Sequence, residues 1–123
     1  MNNKNEVLEK RAYSFAVRLQ KRGKYPAAII GAGKSYYKYV SRSGPISPHD
    51  IAVKLKNKLS SIGELYPKQN GNFVGCCAEV SAANLILLKR RDLNPNQVDF
   101  SNALRPITMQ KIPRCKNCQI TFN

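Results

Sequence analysis

The stretch from about Cys77 to Arg90 is apolar on nearly every side. Val80, Ala82, Ala83, Leu85, Ile86 and Leu88 leave no wide polar face, and a helix of that kind is stable in water only when other elements surround it. The rest of the chain must therefore supply layers around one central buried helix. A chain of 123 residues, 42% of them hydrophobic, is the size of one domain and can build that core without cross-links. Residues 1–123 are expected to form a single domain.

The flanking segments supply the layers. Leu8, Ala12, Phe15, Ala16 and Leu19 fall at helical spacing between Glu6 and Arg22, so an amphipathic helix with a very basic outer face is expected there. Gly23 to Pro26 break it. Ala27–Ala32 is a short apolar run that predicts a buried strand, with Gly31 and Gly33 marking a turn. Ser35–Ser41, holding Tyr36, Tyr37, Tyr39 and Val40, predicts a second, antiparallel strand. Ser47, Pro48 and Asp50 have the pattern of a helix start, and that helix is expected to run to about Ile62. Gly63–Gly75 predicts a loop, Asn94–Asn96 a turn, Val98–Met109 one strand, and the residues after Pro113 and Arg114 a short helix. The order is helix, strand, strand, helix, helix, strand, short helix. It implies an α/β chain in which a small mixed β-sheet is sandwiched by helices.

Charge narrows the partners. Lys and Arg number 21 against 7 Asp and Glu, a net charge of +14. They are spread along the whole chain rather than gathered in a tail. Nucleic acid is the common reason for so large an excess, followed by an acidic protein or a membrane surface. Tyr36, Tyr37, Lys38 and Tyr39, between Lys34 and Arg42, interleave rings with cations, which suits stacking on unpaired bases and contact with phosphates. The same pattern suits a strand with one buried and one exposed aromatic face. No run of about 18 apolar residues is present, so no membrane segment is expected, and Met1–Lys10 holds no apolar signal core. If the domain leaves a cell, a larger precursor carries the address.

Four cysteines form two tight pairs, Cys76 with Cys77 and Cys115 with Cys118. A chain of this size does not need disulfides, so metal binding is the first expectation. Cys115 and Cys118 can hold one ion from a single turn of backbone, and Cys77 would add a third thiolate. Three protein ligands leave a fourth position open, as in catalytic zinc sites. Adjacent cysteines rarely ligate one ion together, so Cys76 is expected to pack, although it could close a four-cysteine site. Glu79 stands two residues after Cys77 at the start of the apolar helix. It can complement the helix dipole, or serve as a general acid/base at a metal centre. His49, the one histidine, falls in a helix start and is not expected to bind metal.

Cys77-Ala78-Glu79, followed by Cys115-Lys116-Asn117-Cys118, resembles the signature of the cytidine deaminase-like superfamily of zinc deaminases. Gly75-Cys76-Cys77-Ala78-Glu79-Val80 together with Arg114-Cys115-Lys116-Asn117-Cys118-Gln119 is similar to the YwqJ-like branch of bacterial polymorphic toxin deaminases. The resemblance implies a cytidine deaminase-like fold, Zn2+ held by Cys77, Cys115 and Cys118, and Glu79 as proton shuttle. Zinc-bound hydroxide would attack a nucleobase, most simply cytosine to give uracil. It also implies the C-terminal toxin module of a larger precursor, delivered into a competitor's cytoplasm and neutralised in the producer by a cognate immunity protein. The charge predicts that this partner is acidic. One departure is that Arg114 separates Pro113 from Cys115, where proline usually abuts the cysteine.

Three thiolates weaken zinc as a Lewis acid, and Arg114 or Lys116 is placed to offset that. Asn70, Asn72 and Phe73 precede the zinc helix, where such enzymes often hold the base. Two other functions share these features. A free-nucleoside cytidine deaminase would use the same motif but has no need of +14. A non-catalytic four-cysteine zinc module binding nucleic acid would use Cys76 and tolerate loss of Glu79.

Overall fold

The computed structural model describes residues 3–34, 37–44, 46–62, 68–69, 72–73, 77–114 and 116–122; at 3–5, 68–69, 72–73 and 116 it describes the backbone alone. In chain order the elements are α1 (Asn3–Lys21), β1 (Ile29–Lys34), β2 (Tyr37–Arg42), α2 (Val53–Ser60), β3 (Lys68–Gln69), β4 (Asn72–Phe73), α3 (Ala78–Lys89), β5 (Asp99–Phe100), β6 (Ala103–Arg105), β7 (Gln110–Ile112) and α4 (Lys116–Phe122). Short 3-10 turns at Pro48–Asp50 and Pro95–Gln97 precede α2 and β5.

The sheet runs β2-β1-β6-β7, with β5 also paired to β1. Every pairing in it is antiparallel, so the expectation of a mixed sheet is corrected. The cause is the way the chain returns. After α3 it comes back against β1 in the opposite sense, and β6 turns directly into β7 through Pro106–Met109, a connection too short for a parallel crossover. β3 and β4 form a separate two-stranded ladder inside the stretch expected to be loop.

Strand alternation divides the core in two. Ile29, Val40 and Leu104 face α1 and pack on Ala12, Ala16 and Leu19. Ile30, Ala32 and Tyr39 face the other way and join the larger core built by α2, α3 and α4. Helices thus cover both faces of the sheet, as the α/β architecture requires. In α3, Ala78, Val80, Ala82, Ala83, Ile86 and Leu87 are buried, but Leu88 is half-buried and Leu85 is 38% exposed, so the expected central helix is covered on most sides and keeps one side open.

Gly31 and Gly33 were expected at a turn but lie inside β1. A Cβ on Gly31 would stand 2.9 Å from the Leu8 carbonyl oxygen, and one on Gly33 3.2 Å from Leu8 Cδ2. These glycines let α1 press onto the strand. The helix expected from Ser47 starts later, at Val53, and Ser47 makes no side-chain cap. The strand expected over Val98–Met109 is broken into β5 and β6, and Met109, with φ of 61°, closes the turn before β7.

Candidate active site

Cys77 is the N-cap of α3, extended at φ −69° and ψ 151°, and its carbonyl accepts from Ser81 N–H at 3.3 Å. Ala78 and Glu79 form the first turn. Glu79 is only 5% exposed, an unusual position for a carboxylate in so apolar a helix. Two polar links hold α3 in place. The Ser41 and Ser81 hydroxyls lie 2.8 Å apart, and Asn84 accepts from Ala52 N–H while donating to the Asp50 carbonyl, both at 2.8 Å.

Glu79 opens into a pocket of about 300 Å³. Ile30 and Ala103 contribute its apolar floor, and Phe100, Ser101 and Asn102 one wall. Pro113 and Arg114 form the wall that leads into α4, and Glu9 of α1 borders it. Each wall is fixed. Ser101 Oγ accepts from Gly31 N–H at 2.9 Å and donates to the Asn102 carbonyl at 2.9 Å. Asn102 N–H donates to the Glu9 carboxylate. The Arg114 guanidinium lies over the Phe100 ring, 5.1 Å from its centroid, and Phe100 meets Phe122 edge-on. Gln119 Nε2 donates to the Arg114 carbonyl at 3.0 Å, closing the turn before α4.

Of the expected metal ligands, Cys77 caps α3, whose Glu79 lines the pocket, and Cys118 lies in α4, the helix that follows Arg114. Cys118 is 1% exposed in the main core, and half-buried Cys77 packs against that same core. Cys115 and Cys76 lie outside the described residues. Among the described residues no group of three or more His, Cys, Asp or Glu is gathered as a metal site. As a donor set, two thiols with a carboxylate near one of them and no imidazole suit zinc rather than a hard, oxygen-seeking cation.

Arg114, expected beside the metal and the substrate, lines the same pocket as Glu79. The structure does not bring β2 there. Tyr39 is spent in the core, half-buried Lys38 points to the α1 face, and Tyr37 is exposed within electrostatic reach of Arg90, just past the C-terminus of α3. That end of the helix is about 16 Å from Glu79 along the axis. Tyr37 and Tyr39 share one face of β2, and neither lines the pocket. Tyr36 and Asn70 lie outside the described residues; Asn72 and Phe73 form β4, described as backbone. His49 is exposed on a 3-10 turn and does not line the pocket.

Glu9, Phe100, Ser101 and Asn102 were not anticipated as site residues. They reach the pocket through sheet pairing and through the contact of α1 with residue 102, neither of which leaves a local signal. Among the described residues no helix is long and apolar enough to cross a membrane. No family model matches this chain, and searches of curated proteins and of solved structures returned no match.

Proposed function

We propose that this chain is a zinc-dependent deaminase acting on bases of nucleic acid, with cytosine to uracil as its reaction. The observation that carries the reading is Glu79: a buried carboxylate in the first turn of α3, next to the Cys77 cap, opening into the pocket that Arg114 walls on the approach to Cys118. Cys77, Cys118 and Cys115 would hold the metal. Zinc, when bound, supplies a Lewis acid that makes water a usable nucleophile near neutral pH.

The protein's own residues supply the rest. Glu79 accepts a proton from the attacking water and returns it to ring nitrogen 3 of cytosine, while the water oxygen adds to carbon 4. The hydroxyl now on carbon 4 gives up its proton, through Glu79, to the amino group; the carbon–nitrogen bond breaks, ammonia leaves and carbon 4 becomes the carbonyl of uracil. Ile30 and Ala103 offer an apolar surface on which a base can rest, and the Asn102 side suits the polar edge of a base. The charge of +14 favours a polymer over a nucleoside, because each neutralised phosphate adds affinity. The same excess makes an acidic protein the complementary inhibitor, in keeping with a toxin and its immunity partner.

The test is a sequencing-based deamination assay. Zinc-loaded protein is incubated with single-stranded DNA, duplex DNA and RNA, with Glu79→Ala as control. Glu79-dependent C-to-T changes in one pool are expected. No change in any pool, with turnover of free cytidine instead, would replace the polymer reading with the nucleoside one.

A further inference from the structure

Two carboxylates line the pocket, Glu79 of α3 and Glu9 of α1. The two helices cover opposite faces of the sheet, and the pairing of the strands shows where it is interrupted. Ala32 pairs with Phe100, and Ile29 with Leu104. Between these pairs β1 holds Ile30 and Gly31, while the returning chain holds Ser101, Asn102 and Ala103. The extra residue makes a β-bulge, which leaves one residue outside the ladder. Ser101 takes both backbone groups of Gly31: its N–H donates to the Gly31 carbonyl, and its hydroxyl accepts from Gly31 N–H, each at 2.9 Å. Asn102 is the residue left over, and its N–H donates to Oε1 of Glu9.

That bond fixes a carboxylate where the charge of the chain argues against one. Asp and Glu number 7 in 123 residues, and two of them stand in this pocket. Among the described residues no ion pair neutralises Glu9. A carboxylate repels phosphates, so what it offers a nucleic acid is acceptance of a hydrogen bond from a neutral donor. Asn102 N–H uses one of its two oxygens. The amino group of cytosine is such a donor, and carboxylates accept from it. In uracil the same ring position carries a carbonyl oxygen, an acceptor that a carboxylate repels.

We infer that Glu9 is a specificity-determining residue that accepts from the amino group on carbon 4 of the base, and so holds cytosine and expels uracil. The inference rests on the deaminase reading above and deepens it by naming the group that separates substrate from product. The bulge supplies what such a reader needs. It anchors the carboxylate on a backbone N–H, so its position does not depend on a loose surface side chain.

The test is steady-state deamination by the zinc-loaded chain of the cytosine-bearing strand on which it acts. The same strand carrying uracil serves as competitive inhibitor. Glu9→Gln keeps an acceptor for Asn102 N–H and gains an amide N–H that can donate to uracil. It is expected to raise KM for the cytosine strand and lower Ki for the uracil strand. The ratio of Ki to KM should fall about 10- to 150-fold, the value of one hydrogen bond to a charged group. A change in pocket shape, or a lost contact to the sugar, would move both constants the same way. Glu6→Gln, which removes an exposed acid from the same helix, controls for net charge and should leave the ratio unchanged. If Glu9→Gln keeps the wild-type ratio, or moves both constants in one direction, the role of Glu9 falls while the deaminase reading stands. If the wild type deaminates neither a strand nor free cytidine, both fall together.

Discussion

The hydroxyls of Ser41 and Ser81 lie 2.8 Å apart and join the end of β2 to the start of α3. Ser81 follows Glu79 by two residues, so this bond helps fix the rotation of α3 and with it the direction in which Glu79 projects. Ser81→Ala is expected to cost about 1 kcal/mol, the usual net value of one hydrogen bond. The double variant with Ser41→Ala should cost less than the two single changes together, because each removes the same bond. Urea unfolding of the four proteins measures this coupling. A coupling of zero would show that the pair contributes nothing.

Glu79→Gln keeps the shape of the side chain and removes its proton-carrying capacity. It is expected to lower kcat by about 10²- to 10⁴-fold while folding and zinc content stay as in the wild type. Cys118→Ser is expected to behave differently. It places a hydroxyl in a fully buried thiol site and should lose bound zinc and thermal stability together. Zinc content by mass spectrometry under native conditions, beside a melting curve, separates the two outcomes. Normal turnover in Glu79→Gln would end its role as the proton carrier.

The local patterns in the chain foretold the elements better than their edges. Leu8, Ala12, Phe15, Ala16 and Leu19 predicted the inner side of α1; Phe15 is half-buried and the other four are buried. The apolar run after Cys77 predicted a central helix for the same reason: apolar area has to be covered, and that demand is written in the spacing. What remained hidden depends on partners distant in sequence. Gly31 looks like a turn residue until α1 is laid against it. Ser47 looks like a cap, but Asn84, from α3, takes the Ala52 N–H at the true start of α2. The candidate centre divides along the same line. Cys77 and Glu79 were legible because they share one helix start, and Arg114 because it precedes a cysteine pair. Phe100 and Asn102 were not, since only the pairing of β5 with β1 brings them beside Glu79.

Gly31→Ala tests the close approach of α1. The new methyl would meet the Leu8 carbonyl oxygen at 2.9 Å, and a backbone oxygen cannot swing aside as a flexible side chain can. The helix must shift, or the strand must bend. Overpacking of this kind costs about 1–3 kcal/mol. The expected result is a lowered urea midpoint with an unchanged m-value. The Glu9 contact to Asn102 would be disturbed as well, since Glu9 follows Leu8 directly. Gly23→Ala is a weaker comparison because nothing crowds that position; its cost would come only from a φ of +68°.

Asn84 is a buried amide in the middle of α3, 4% exposed, with both ends of its side chain used. Replacing it with alanine leaves the Ala52 N–H, itself buried, without its acceptor and the Asp50 carbonyl without its donor. Water cannot easily substitute, because Ala52 sits in the core shared by α2 and α3. An orphaned buried donor costs about 1–3 kcal/mol, so Asn84→Ala should melt several degrees below the wild type. Asn57→Ala, an exposed asparagine on α2, should change stability by less than about 0.5 kcal/mol. The site offers a further readout. Amide exchange at Ala52 should accelerate in Asn84→Ala relative to amides in the middle of α3, because the bond that protects it is gone while the helix persists. Equal protection of Ala52 in both proteins would mean that α2 is held to α3 by packing alone.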